Sequence, residues 1–181
     1  MYIPTMTTEN LLNDTWSWYF HDPADTSWTL ESYERLGDIS SIDEFWNIHE
    51  LLGHHTHQGI WFCFREHVFP CWDDPSNING GCLSMKILKQ DAKMYWEELC
   101  LRMLGETLLK HEHEDKWNRI NGLSISPKKH FCIIKLWLSD DTINSRDHLC
   151  IGKDYAGDMW FRSNRENITT NNQRTVNCKT F

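Results

Sequence analysis

The chain has 181 residues, 40% of them hydrophobic, and a formal net charge of −8. That length suits one domain with its own core, and no apolar run approaches the roughly 18–20 residues of a membrane-spanning helix. The acidic balance repels polyphosphate at long range, which argues against general coating of nucleic acid and confines any RNA contact to a few basic residues.

The first dozen residues are expected to be loosely ordered. They carry neither a basic start nor an apolar stretch, so no secretory signal is read there, and a cytoplasmic or nuclear location is expected. Trp16, Trp18 and Phe20 alternate with Ser17 and Tyr19, the pattern of a strand. A loop with Pro23 follows and ends at Trp28, and a second strand is expected around Ser32 to Leu36. Ser41 and Glu44 form an S-x-x-E capping box that opens a helix running to about Leu52, where Gly53 stops it. Its inward stripe is Phe45, Ile48 (or His49) and Leu52, with Ile42 and Trp46 one turn apart on a neighbouring face.

Ile60 to Phe64 is the next strand, and Pro70 to Gly81 a long loop carrying Trp72. A strand over Leu83 to Leu88 leads into a helix from Asp91 to about Leu109, with Trp96, Leu99, Met103 and Leu104 inward. Leu123 to Ser126 and Phe131 to Leu138 form a hairpin around Pro127-Lys128-Lys129. Ser145 caps a third expected helix, Met159 to Arg162 is a late strand, and the polar stretch from Asn164 to Arg174 is expected to be loose. Many antiparallel strands with about three helices indicate an α+β fold, a curved sheet with helices on one face.

Within the hairpin, Ile134, Leu136 and Leu138 fall on one face of the strand, and Ile133, Lys135 and Trp137 on the other. If the first set packs under the helices, the second lines the open face. A lysine beside a tryptophan is costly there unless something anionic and aromatic occupies that face. Ten tryptophans are more than a core of this size calls for, so some are expected to offer a ring face to a ligand. The seven cysteines include no C-x-x-C pair, so neither a disulfide framework nor a zinc ribbon is indicated. Cys63, Cys71, Cys100, Cys132 and Cys150 stand in or beside apolar runs and are expected as reduced thiols.

Five segments in order resemble one family. They are Trp16-Ser17-Trp18-Tyr19-Phe20 with Trp28 eight residues on; Ile42-Asp43-Glu44-Phe45-Trp46; and Pro70-Cys71-Trp72-Asp73-Asp74 followed by Asn79-Gly80-Gly81. The fourth is Trp96-Glu97-Glu98-Leu99-Cys100-Leu101-Arg102-Met103-Leu104-Gly105-Glu106, and the fifth is Trp137, fifteen residues after Gly122. From about Leu12 to Gly152 the chain resembles the eukaryotic translation initiation factor 4E family, which binds the 5′ cap of messenger RNA. The resemblance implies a curved antiparallel sheet backed by three helices, with the cap in the concave slot. It implies that Trp28 and Trp72 stack on 7-methylguanine, that Trp137 contacts the N7-methyl group, and that Asp73 is the base-reading carboxylate.

The chemistry is coherent. Methylation at N7 makes the purine a cation. A cationic ring between two indoles gains about 1–2 kcal/mol of cation–π attraction beyond stacking, which unmethylated guanine lacks. A carboxylate accepts N1–H and N2–H together, which selects guanine over adenine. The triphosphate then needs cations.

The sequence also departs from the family pattern. Asp73 stands where glutamate is usual and is one methylene shorter. Lys128 matches the hairpin arginine, but Ile133 occupies the second basic position. Lys135, two residues on and on the same face, is expected to take over that work, with Lys129 and His130 nearby. Cys82 stands where many relatives have arginine, and Arg174 or Lys179 of the tail is a weak candidate for the phosphates. Loop lengths differ as well, which marks a divergent member such as a paralogue or a viral or protist copy.

Ile42, Trp46 and Leu101 match the family's dorsal patch, which receives a helix with a Tyr-x-x-x-x-Leu-Φ motif from the scaffold factor 4G or a competing 4E-binding repressor. Glu98 is a candidate acceptor for that partner. Three other readings compete: a cap-binding repressor that recruits no scaffold, an interaction module with a degenerate slot, and a metal-dependent enzyme. The last rests on His49, His54, His55 and His57, or on His111 and His113. It lacks an H-E-x-x-H motif, because His49-Glu50 is followed by Leu51-Leu52-Gly53. No nucleophile with a matching base and no phosphate-cradling glycine loop is evident. Binding rather than turnover is expected, with no cofactor, no metal and no membrane partner.

Overall fold

The computed structural model describes residues 10–152, 155 and 157–170. Seven strands form one antiparallel sheet: β1 (Leu11–His21), β2 (Tyr33–Ser41), β3 (Ile60–Arg65), β4 (Gly81–Leu88), β5 (Ile120–Pro127), β6 (Phe131–Leu138) and β7 (Met159–Ser163). Their spatial order is β2-β1-β3-β5-β6-β4-β7. β4 therefore lies between β6 and β7, although it precedes both in the chain. Two α-helices, α1 (Ile42–Leu52) and α2 (Ala92–Leu104), pack on one side.

α1 begins as its sequence dictates. Glu44 N–H donates to the Ser41 hydroxyl, and the Glu44 carboxylate accepts from Ser41 N–H, so two otherwise unpaired donors are satisfied. Its buried residues are Phe45, His49 and Leu52, so His49 rather than Ile48 completes the inward stripe. Gly53 ends the helix at φ 43°, a conformation that costs glycine least.

Side-chain alternation splits the sheet into two apolar layers. Toward the helices lie Trp16, Trp18, Phe45, Trp96, Leu99, Met103, Ile134, Leu136 and Leu138, with Trp18 edge-on to Trp96 at 5.9 Å and 88°. On the opposite face a second cluster gathers Tyr19, Phe62, Phe64, Val68, Cys82 and Trp137, with Tyr33, Phe69 and Trp72 packed against it. The sheet thus has a filled helix side and an aromatic open face.

Several boundaries differ from the sequence reading. α2 stops at Leu104, short of Leu109, because Gly105 caps it; Leu108 and Leu109 then turn into the core, and Leu109 bridges to Leu149. Ser145 does cap, but only one 3₁₀ turn, Arg146–His148, follows before Leu149 leaves for that bridge. Leu11 and Leu12 already belong to β1. Residues 164–170 are helical rather than loose, anchored by buried Asn164, whose side-chain amide donates to the Asn77 carbonyl at 2.8 Å. Residues 1–9 and 171–174 of the stretches expected to be loose lie outside the described residues.

Candidate functional site

The open face is built from two loops and from side chains of β1, β2, β3, β4 and β6, with β7 at its edge. The first loop joins β1 to β2. His21, at the end of β1, is fully buried and donates from Nε2 to the Ser27 carbonyl at 2.9 Å. The Asp25 carboxylate accepts from the Ser27 N–H and hydroxyl, which holds its carboxyl below the usual range. These bonds set Trp28 on top of His21: the rings stack at 4.0 Å and 10°, and Tyr33 meets the indole edge-on at 6.0 Å. One face of Trp28 is therefore backed by protein, and the residue stays 52% exposed.

The second loop joins β3 to β4. Its organiser is Asn77, which is buried and donates to the carbonyls of Phe69 (3.0 Å) and Cys71 (2.8 Å) while accepting from Asn121 (2.8 Å). Gly80 closes the loop against β6, where an added Cβ would collide with the Leu138 carbonyl. Trp72 is half-buried against the open-face cluster, its indole N–H enclosed and without a partner among the described residues. The Lys135 ammonium sits 5.4 Å from the Trp72 ring, a cation–π contact. The Tyr33 hydroxyl donates to the Pro70 carbonyl at 3.2 Å and so ties the two loops together; burial drives that hydroxyl well above the usual tyrosine range. Among the described residues, Trp28 and Trp72 make no ring contact with each other.

The two carboxylates beside Trp72 have different duties. Asp74 accepts from Ser76 N–H at 2.8 Å and Phe69 N–H at 3.4 Å, so it is spent on the loop. Asp73 is exposed, and within the protein it faces the Cys71 thiol. That thiol is pushed up to about 12, by burial first and the neighbouring Asp73 second. Asp73 is thus the carboxylate available to a ligand. Trp137 is 4% exposed, donates to the Ser124 hydroxyl at 2.8 Å and meets Phe64 edge-on at 5.3 Å. It belongs to the open-face cluster, one strand over from Cys82.

Cations converge beside it. Lys135 is half-buried, and burial lowers its pKa, with the positive neighbours Lys128 and Arg162 adding to the effect. Arg162 stands opposite Cys82 in the β4–β7 register, and Cys82 stands opposite Trp137 in the β4–β6 register. Its guanidinium donates to the Thr170 hydroxyl at 2.6 Å. Among the described residues, none of Lys128, Lys135 and Arg162 forms an ion pair with a carboxylate. Lys128, Lys129 and His130 lie exposed on the turn. Arg162 was missed by sequence reasoning, since only the register of a distant strand brings it here. Arg174 and Lys179 lie outside the described residues.

On the helix side, Trp46 is 37% exposed on α1, while Ile42 and Leu101 are half-buried at the rim of the core. His49 of α1 and Glu97 of α2 meet at 2.9 Å and tie the two helices together. Glu98, the candidate acceptor for a partner, is half-buried rather than exposed, and its Oε1 accepts from Arg102 Nε at 2.9 Å, one turn along the helix. Among the described residues, no three His, Cys, Asp or Glu side chains gather as a metal site would need, and no helix is long and apolar enough to cross a membrane. The side chain of His54 lies outside that set.

Residues 11–175 match the family profile described as eukaryotic initiation factor 4E. The chain is 27% identical over 155 residues to a eukaryotic translation initiation factor 4E-1 of Prunus domestica, covering 81% of this chain and 64% of that protein. For the 4E-1 of Arabidopsis thaliana the figures are 26% over 151 residues, 80% and 61%. The match thus spans less than two thirds of these relatives' length. Among solved structures, Ascaris suum eIF4E-3 with m7G cap superposes with a TM-score of 0.63 at 18% identity, covering 74% of this chain and 76% of that one. A schistosome eIF4E complexed with m7GpppA and 4E-BP gives 0.63 at 25% identity, with 74% of each chain covered.

Proposed function

The chain belongs to the eukaryotic initiation factor 4E family, and from that premise we propose that it binds the 7-methylguanosine 5′ cap of messenger RNA and brings it to translation initiation. One observation carries the reading: three cations with no carboxylate partner among the described residues converge on the face that holds Trp28, Trp72 and Trp137, in a protein of net charge −8. Such a cluster is self-repelling until an anion occupies it.

Trp28 offers its free face to the methylated purine, with His21 behind it. Trp72 holds a cation already, the Lys135 ammonium. The cationic base takes that place over the indole, and Lys135 turns to the triphosphate with Lys128 and Arg162. Asp73 accepts N1–H and N2–H of guanine. Because its side chain is one methylene shorter than glutamate, the loop moves inward or a water bridges the gap. Trp137 closes the floor against the methyl group. Nothing in this chemistry requires a cofactor, a metal or a turnover step.

The Trp46 face supports a second role in the cytoplasm, docking a helix of a 4G-type scaffold or of a 4E-binding repressor through Ile42, Trp46 and Leu101. Tryptophan fluorescence titration with 7-methyl-GTP and GTP tests the cap reading. Strong quenching is expected with the methylated ligand and at least ten-fold weaker binding of GTP. Trp28→Ala and Trp72→Ala should each remove most of the affinity. Equal affinity for both nucleotides would refute the mechanism.

A further inference from the structure

The open face extends past the cation cluster to the outermost strand, and its last aromatic side chain has no role in the cap site described above. β7 pairs with β4, and β4 pairs with β6, so three strands carry side chains in shared rows. One row is Trp137–Cys82–Arg162, and the next is Lys135–Ser84–Trp160. Met159 and Phe161 pack against the helix-side core, so the alternation turns Trp160 and Arg162 to the open face. Trp160 is 44% exposed, and among the described residues no ring or cation covers its indole. An indole left open on an outer strand stays solvated unless a flat apolar group lies on it.

We propose that Trp160 is a stacking platform for the base of the nucleotide that follows the cap triphosphate, so that the protein reads RNA one residue beyond the cap. The inference rests on the cap reading and extends it. Its basis is the sequence of chemistry across the face. Trp72 lies at one end with the Lys135 ammonium 5.4 Å from its ring. Lys135 and Arg162 come next, close enough for the guanidinium to disfavour the charge on Lys135. Trp160 follows, two residues from Arg162 on the same strand. Two strand spacings, about 10 Å, separate the Lys135 and Trp160 backbones, a distance an extended triphosphate spans. Aromatic, cation, cation, aromatic is the complement of base, phosphates, base. Stacking on an indole tolerates any base, so the platform adds affinity with weak sequence preference.

The test compares 7-methyl-GTP with the dinucleotide cap m7GpppA on the wild-type chain, Trp160→Ala and Trp160→Phe. Trp160→Ala should leave affinity for 7-methyl-GTP within about two-fold and lower affinity for m7GpppA about five-fold or more. Trp160→Phe, which keeps a stacking face, should retain most of the dinucleotide affinity. Loss of both ligands alike, loss of neither, or a phenylalanine variant as weak as the alanine one would overturn the proposal while leaving the cap reading intact. A wild-type chain that binds neither methylated ligand refutes the cap reading, and the platform with it.

Discussion

At Lys135, burial and charge work against each other. Its ammonium is half-buried and faces Lys128 and Arg162, with the Cys82 thiol and the Trp72 indole also beside it. Burial and the two like charges favour losing the proton and outweigh the thiol and the indole, which favour the ammonium, so the folded-state pKa lies below that of a free lysine. The sign of the consequence is fixed. Below the depressed pKa the buried charge costs folding stability; that cost fades as pH rises through the folded value and is gone above the unfolded one. A bound triphosphate reverses the balance by favouring the ammonium, so ligand binding should take up a proton on the alkaline side. Calorimetry of 7-methyl-GTP binding in buffers of different ionisation enthalpy should detect that uptake in the wild-type chain, and Lys135→Gln should abolish it. Loop indoles such as Trp28 and Trp72 were legible in the sequence, because packing rarely explains an indole on a loop. The division of labour between Asp73 and Asp74 was not legible, since it depends on which carboxylate the loop's own N–H groups occupy.

The helices divide along the same line between local and distant causes. α1 was readable from end to end because its signals are local: Ser41 and Glu44 at the start, Gly53 in its own φ region at the end. Replacing Ser41 with alanine removes one side of the capping box and should cost about 0.5–2 kcal/mol, measurable as a lowered midpoint in urea without a change in slope. α2 was overextended by five residues because Leu108 and Leu109 keep the apolar pattern while serving the bridge to β-like residue Leu149 instead. Hydrophobic periodicity cannot tell a helix from a chain that turns inward just after it. Trp46 belongs to this scale too, since it stays 37% exposed while its ring meets Phe45 and His49 of the same helix edge-on. Trp46→Ala should leave 7-methyl-GTP binding unchanged and weaken a 4G-type peptide at least ten-fold by fluorescence anisotropy. Unchanged peptide affinity would remove the helix side from the partner surface.

For the whole molecule, the decisive fact is a strand order that no local pattern predicts. Inserting β4 between β6 and β7 sets Cys82 between Trp137 and Arg162 and carries a cation from near the C-terminal end of the chain to the slot. Cys82 itself is buried and uncharged, so the positive charge on this row is supplied one strand over. The surrounding protein, at net charge −8, supplies no long-range attraction. The attraction for phosphates is therefore local, and its salt dependence should count the cations that make it. With three cations engaged, log affinity for 7-methyl-GTP should fall against log salt with a slope of about −2, taking roughly 0.7 per neutralised phosphate. Arg162→Ala should reduce that slope by about 0.7, and an uncapped polyadenylate should show no measurable binding at physiological salt. A slope unchanged by the Arg162 substitution would mean that the guanidinium remains with the Thr170 hydroxyl and never engages the ligand.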